Sequence, residues 1–230
     1  MKKLDSLSIV IPCYNEYKYL PNVIKSAHEV ANKITDLFEI IIINDGSTDQ
    51  TYNYLKMIDK DFYKLNIINR KNNLGVGSSL IEGFKIAKYK YIFFNSSDEQ
   101  APMDYLFELS NYIYSFDIVF AFYPDRQDNI IRRYLSKIYH GIINYFFEVR
   151  ITNVNAMKLF KRQAFFSDYR YNSDFSFDFH FLYIAIKNNF SFIEIPFEHI
   201  SRKGSKSSIN WFLSSITTFI SLVKIFFEKK

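Results

Sequence analysis

A single cysteine, Cys13, rules out an internal disulfide framework and any cysteine-rich metal site, and it points to a reducing compartment. Glycine and proline are scarce, at six and five residues in 230, which argues against low-complexity or disordered character. No basic run exceeds two residues, so the formal charge of +5 does not read as a nucleic-acid footprint; it suits an anionic ligand or an anionic membrane surface. The N-terminus opens with two lysines, but its apolar segment is only Leu7 to Ile11 and meets Pro12, too short for a secretory signal. The expected location is the cytoplasm.

What the sequence has in quantity is aromatic and aliphatic residues: 25 Phe, 18 Tyr and 48% hydrophobic residues, enough for one sizeable core. Short β-rich runs alternate with helical stretches. Strands are expected at 7–11, 39–43, 65–69, 91–94 and 118–122, with helices at 20–34, 51–58, 78–88 and 103–114 between them. Continuous apolar runs such as IIII (40–43) and YIFF (91–94) suit strands covered on both faces. The fold class is therefore α/β, a doubly wound and mostly parallel sheet, in which ligands bind at the carboxyl ends of the strands.

The polar residues gather at those ends: PCYNE (12–16), NDGSTD (44–49), NRKNNLGVGSS (69–79) and NSSDEQ (95–100). Four loops far apart in sequence are expected to converge on one sheet edge. NDGSTDQT taken alone reads equally well as a plain strand-to-helix turn, with Thr48 and Asp49 as caps. In the second half, 130–147 reads as an amphipathic helix, 153–160 and 192–197 as strands and 178–187 as a helix. The stretch 209–227 carries a 3.6-residue apolar stripe interrupted by hydroxyls and Lys224, the pattern of an in-plane or docked helix rather than a spanning one. The expected division is a domain over 1–208 and an amphipathic helix over 209–230.

VIPCYNE, IIIINDGSTDQT, NLGVGSSLIEGFKIA and YIFFNSSDEQAP, in that order, resemble the family 2 glycosyltransferases with the GT-A fold, nearest to polyprenyl-phosphate and dolichyl-phosphate sugar synthases. The resemblance runs from about residue 7 to residue 208. It implies a Rossmann-like sheet and an inverting transfer of a sugar from a nucleotide diphosphate sugar to a polyprenyl phosphate at the cytoplasmic membrane face. The chain would associate with that face peripherally, and self-association is left open.

Residue by residue, the resemblance implies that Pro12, Tyr14, Glu16, Asp45, Asn73 and Gly75 bind the nucleotide. Asp98 and Gln100 would hold a divalent cation, Mg2+ or Mn2+, and Asp98 and Arg126 would act on the departing diphosphate. Arg132, Arg133, Ser136, Lys158 and Arg202 would meet phosphate or acceptor.

The departures are as informative. Ser96 replaces the first acid of the metal motif, Asn44 the first of the paired acids before Gly46, and Ala121 and Tyr123 a Gly and an Arg after the fifth strand; His180 stands where relatives often have Glu. Two other readings stay open at this point. One is transfer to a glycan hydroxyl, with Asp174 or Asp178 as the base; the other is a nucleotide-sugar-binding protein without turnover.

Overall fold

A computed structural model describes residues 3–124, 148–152, 156–166 and 176–198, together with 137, 138, 140, 141, 144, 145 and 220. The chain alternates β1 (Leu7–Cys13), α1 (Leu20–Ile34), β2 (Phe38–Asn44), α2 (Thr51–Met57), β3 (Leu65–Asn69), α3 (Val76–Ile86), β4 (Tyr91–Phe94), α4 (Tyr105–Tyr112) and β5 (Ile118–Phe122). Then follow β6 (Lys158–Lys161), a 3-10 turn (Arg162–Ala164), α5 (Phe177–Lys187) and β7 (Phe192–Pro196). Of the expected helix over 130–147, residues 137, 138, 140, 141, 144 and 145 are described and are helical; its other residues, and all of 209–227 except 220, lie outside the described residues.

These strands form one sheet in the order β3-β2-β1-β4-β6-β5-β7. All pair in parallel except β6, which runs antiparallel to both β4 and β5. The mostly parallel α/β expectation is met, with β6 as the reversed strand. Chain direction across the sheet switches at β1: β2 and β3 lie to one side and β4 to the other. The crevice above β1 and β4 is thus the topological switch point, the place where open α/β sheets bind ligands.

The isoleucine run of β2 shows why this sheet is buried on both faces. Ile40 and Ile42 join a core with Leu7, Ile9 and Ile11 under α1 and α4, whereas Ile41 and Ile43 join Val10, Leu80, Phe84 and Phe181 under α3 and α5. Helix α1 buries Leu20, Val23, Ile24, Ala27, Val30, Ala31 and Ile34, an i, i+3, i+4, i+7 stripe, and begins with Pro21 in its first turn. Pro12 does not end β1, as the sequence suggested. The strand continues to Cys13 because its pairing with β4 stops at Val10, so Pro12 needs to fit the β2 ladder alone.

Gly83 sets how closely α3 lies on β1. A Cβ placed there would come within 2.4 Å of Val10 Cγ1, a stiff β-branched side chain with no exposed surface. The Gly83→Ala variant is therefore expected to lose about 1–3 kcal/mol by overpacking, more than the roughly 1 kcal/mol that Ala gains over Gly in a helix. A lowered thermal midpoint would show it; an unchanged or raised midpoint would mean that α3 can lift without cost.

Candidate active site

Parallel register brings the polar loops to one level. Cys13 stands beside Asn44 and Asn44 beside Asn69, while β4 reaches Phe94 opposite Val10 and the Asn95 amide continues to the Val10 carbonyl. Loops 13–19, 45–50, 70–75 and 95–104 therefore leave the sheet along a single edge.

The first two loops are stitched together. Asn15, in the left-handed region at φ 57°, accepts on Oδ1 from the Thr48 amide at 2.7 Å and the Asp49 amide at 3.3 Å. The Asn15 amide donates to Ser47 Oγ, the Glu16 amide to Thr51 Oγ1 and the Tyr17 amide to Asp49 Oδ2. Asn15 thus does locally what a left-handed Asn does well, and its strained backbone is held by its neighbours. Pro12, Tyr14 and Glu16 sit half-buried at this seam, and Asn73 is exposed on the next loop.

Asp45 is 4% exposed and clamps the third loop to β2. Its Oδ1 accepts from Arg70 Nη1 at 2.9 Å and the Leu74 amide at 3.0 Å, and its Oδ2 from the Gly75 amide at 2.8 Å. Asn73 Oδ1 also accepts from the Gly75 amide. Arg70 in turn uses its remaining donors on Glu82, Ser78 and Ser79. In the described structure Asp45 anchors residues 70–75, the loop that the resemblance sets against the nucleotide. Gly46, at φ +74°, permits the close stacking of these loops: a Cβ there would lie 2.6 Å from the Asn72 carbonyl carbon.

Arg70 does not stand out in the sequence, and Asn15 reads there only as a helix cap beside Glu16. Arg70 gave little signal, since it follows the end of β3 beside Lys71 and its acid, Asp45, lies 25 residues away.

Cys13 lies under this edge. Burial pushes its thiol well above the usual range, and the negative charges of Glu16, Asp49 and Asp45 push it further. Iodoacetamide at pH 8 is expected to leave the folded protein unlabelled and to modify Cys13 fully in denaturant, read by intact mass. Rapid labelling of the folded chain would contradict its burial.

The fourth loop carries the free acid. Asp98 is half-buried; its Oδ1 accepts from Ser96 Oγ at 2.7 Å and the Gln100 amide at 3.3 Å. The loop is closed beneath by Asn95, which is buried, donates to the Ala101 carbonyl and accepts from the Ser96 amide. Glu99, exposed and left-handed at φ 58°, forms its tip.

Lys158 departs from expectation. It pairs with Phe94 on β4 and Phe120 on β5, so it stands at the same edge, but it has no exposed surface. Its ammonium is hydrogen-bonded to Asp178 Oδ1 on α5 and lies over the Phe94 and Phe120 rings. Burial draws the Lys158 pKa down and the Asp178 pKa up, and their mutual attraction opposes both shifts. The expected phosphate contact is corrected to a buried link between β6 and α5. His180, two residues on, is buried with the α5 core. Arg126, Arg132, Arg133, Ser136 and Arg202 lie outside the described residues.

A cleft of about 920 Å3 opens at the opposite edge, among Lys85, Lys88, Lys90, Lys161 and Arg162. Three of those cations already face Glu39, Asp5 and Asp117, and the parallel strands begin there rather than end. It is not the place that the loops define.

A doubly wound sheet with one reversed strand and these loops at its switch point is the GT-A glycosyltransferase architecture. Glucosyl-3-phosphoglycerate synthase of Mycobacterium tuberculosis, solved with Mn2+, UDP and glucosyl-3-phosphoglycerate, superposes with a TM-score of 0.74 at 14% identity. The match covers 96% of this chain and 79% of that one, a likeness that establishes the fold. The family model described as Glycosyl transferase family 2 matches residues 8–181, and the chain belongs to that family. It is 29% identical over 161 residues to an uncharacterized glycosyltransferase of Synechocystis, covering 69% of this chain and 51% of the relative. It is 31% identical over 140 residues to an undecaprenyl-phosphate 4-deoxy-4-formamido-L-arabinose transferase of Pseudomonas fluorescens, covering 59% and 40%. The chain thus spans about half the length, or less, of the curated relatives it matches.

A divalent cation is implied by the family resemblance, and the donors at hand can be tested for it. Asp98 offers one carboxylate oxygen that accepts no hydrogen bond, beside the Ser96 hydroxyl, with Gln100 two residues on in the same loop. Among the described residues no three His, Cys, Asp or Glu side chains converge. Hard oxygen donors suit Mg2+ or Mn2+, and Mg2+ is commonly held by one or two carboxylates together with substrate phosphates. The residues fit a cation shared with a bound diphosphate.

Proposed function

We propose that the chain transfers a sugar, with inversion, from a nucleotide diphosphate sugar to a polyprenyl phosphate. One observation carries the reading: Asp98, with an oxygen left open, stands at the switch point of a family 2 glycosyltransferase sheet whose other loops are locked in place. The undecaprenyl-phosphate sugar transferases among the relatives supply the acceptor class.

The nucleotide would lie along the seam of Pro12, Tyr14 and Glu16, with the backbone of Asn73 to Gly75 against it. A cation at Asp98 and Gln100 would supply charge neutralisation for the departing diphosphate. Asp98 orients the diphosphate so that the anomeric carbon faces the acceptor, and the closed 95–101 loop keeps that carboxylate from turning away. Arg126, Arg132, Arg133, Ser136 and Arg202 complete the phosphate contacts in this reading.

An acceptor phosphate is already anionic at neutral pH, so no side chain has to remove a proton. Transfer to a glycan hydroxyl would require a free carboxylate. Of the two candidates, Asp174 lies outside the described residues and Asp178 is committed to Lys158, which counts against Asp178 as that base. The lipid acceptor places the protein peripherally on the cytoplasmic face of a membrane. None of the described helices is long and apolar enough to cross a bilayer.

Incubating the protein with Mg2+ or Mn2+, a panel of nucleotide sugars and a short polyprenyl phosphate should give a lipid-linked sugar by mass spectrometry. Product on glycan acceptors alone would replace the lipid reading, and nucleotide-sugar binding without product on either acceptor would leave a binding protein.

A further inference from the structure

Ser96 occupies the position at which the resemblance implies a second acid, and the structure gives its hydroxyl a definite task. Two acids at 96 and 98 would repel each other until a cation came between them. Ser96 instead donates to Asp98 Oδ1 at 2.7 Å, and the Gln100 amide adds a longer bond to the same oxygen at 3.3 Å. Both donors fall on Oδ1, so Oδ2 is left to face a ligand. The Ser96 backbone is anchored, because the Ser96 amide donates to Asn95 Oδ1 at 2.9 Å and Asn95 Nδ2 donates to the Ala101 carbonyl at 3.0 Å. Residues 95 to 101 thus form a closed loop that sets the carboxylate without help from a metal.

We propose that Ser96 is a positioning residue that aims Asp98 Oδ2 at a hard divalent cation, and that the cation is held only together with a nucleoside diphosphate. The second half follows from charge and number of donors. One carboxylate oxygen carries at most a single negative charge, and no cluster of three acidic, His or Cys ligands exists among the described residues. Even with the neutral Gln100 as a second ligand, a six-coordinate ion needs its remaining oxygens from phosphate and water. Replacing the first acid by Ser therefore exchanges affinity for the free ion for a carboxylate that is already oriented when the metal–nucleotide complex arrives. The inference rests on the transferase reading and deepens it.

Mn2+ binding, followed by the electron paramagnetic resonance signal of the free ion, tests it without any turnover. Wild type is expected to bind Mn2+ at least tenfold more tightly with saturating UDP or GDP than without. Ser96→Ala should lower affinity for Mn2+ in the presence of the nucleotide about tenfold, the scale of a hydrogen bond to a charged group. Ser96→Thr, which keeps the hydroxyl, should restore it, a recovery that a merely structural defect would not show.

Ser96→Asp should bind Mn2+ without nucleotide, and it carries the test if the Ala variant does not fold. Equal Mn2+ affinity in wild type and Ser96→Ala, or no gain in Ser96→Asp, overturns the role of Ser96 alone. Mn2+ binding that survives Asp98→Ala in the presence of nucleotide would instead remove the cation site, and with it the reading on which this one stands.

Discussion

Asp98→Asn is expected to abolish sugar transfer, lowering kcat/KM on the order of 10^3-fold, while leaving the fold intact. The substitution keeps the shape of the side chain and, with the amide oxygen at Oδ1, both of its hydrogen-bonding partners, Ser96 Oγ and the Gln100 amide; it removes the charge and puts an NH2 donor in place of the open Oδ2. Because Asp98 is half-buried and not part of the core, its loss should move the denaturation midpoint little. Steady-state kinetics of lipid-linked product formation, beside a urea titration of each protein, separates the two effects. Activity within tenfold of wild type would show that the departing diphosphate is stabilised elsewhere. A large loss of stability would show that Asp98 belongs to the scaffold.

The Lys158–Asp178 pair should give the opposite result, a large effect on stability. Lys158→Met leaves the Asp178 carboxylate, whose side chain is 13% exposed, without a counter-charge. Breaking a buried pair in this way costs about 3–5 kcal/mol. The double variant Lys158→Met/Asp178→Leu removes both charges and is expected to recover most of that loss, since an apolar pair of similar volume needs no compensation.

The pH dependence has a definite sign. Burial already holds the Asp178 pKa above its unfolded value, and removing Lys158 raises it further. A raised carboxyl pKa favours folding when protonated, so the penalty in Lys158→Met should shrink as pH falls from 8 towards 5 and grow again as it rises. Denaturant titrations at the two pH values measure this. A penalty independent of pH would mean that water reaches Asp178 in the variant.

The same two residues show where reading the sequence stopped short. Lys158 was legible as a base near the end of a strand, and the resemblance gave it a phosphate to bind. Its apolar neighbours, Met157 and Leu159 on one side of the pair and Phe177 and Phe179 on the other, held a better signal: charges within apolar runs are seldom buried unless paired. Which acid answered which base could not be read from the chain, because β6 runs antiparallel and meets α5 only after folding. Asp45 is a similar case. Its place at the end of β2 was evident, but its partners, 25 to 30 residues onward, belong to a loop that comes back across the sheet.

The alternation of apolar runs and helical stripes determined the strands of the first half to within two residues, because burial on both faces leaves no other use for IIII or YIFF. It also determined that the polar loops share one edge, since parallel strands joined by helices all end on the same side. Tertiary structure alone decided which polar groups are still open to a ligand. Hydrogen bonds between loops consume Asp45, Arg70 and Asn15, burial removes Lys158, and the turn of the 95–101 loop leaves a single oxygen of Asp98 without a donor. Such accounting depends on distances between residues remote in sequence, and only the folded chain fixes those.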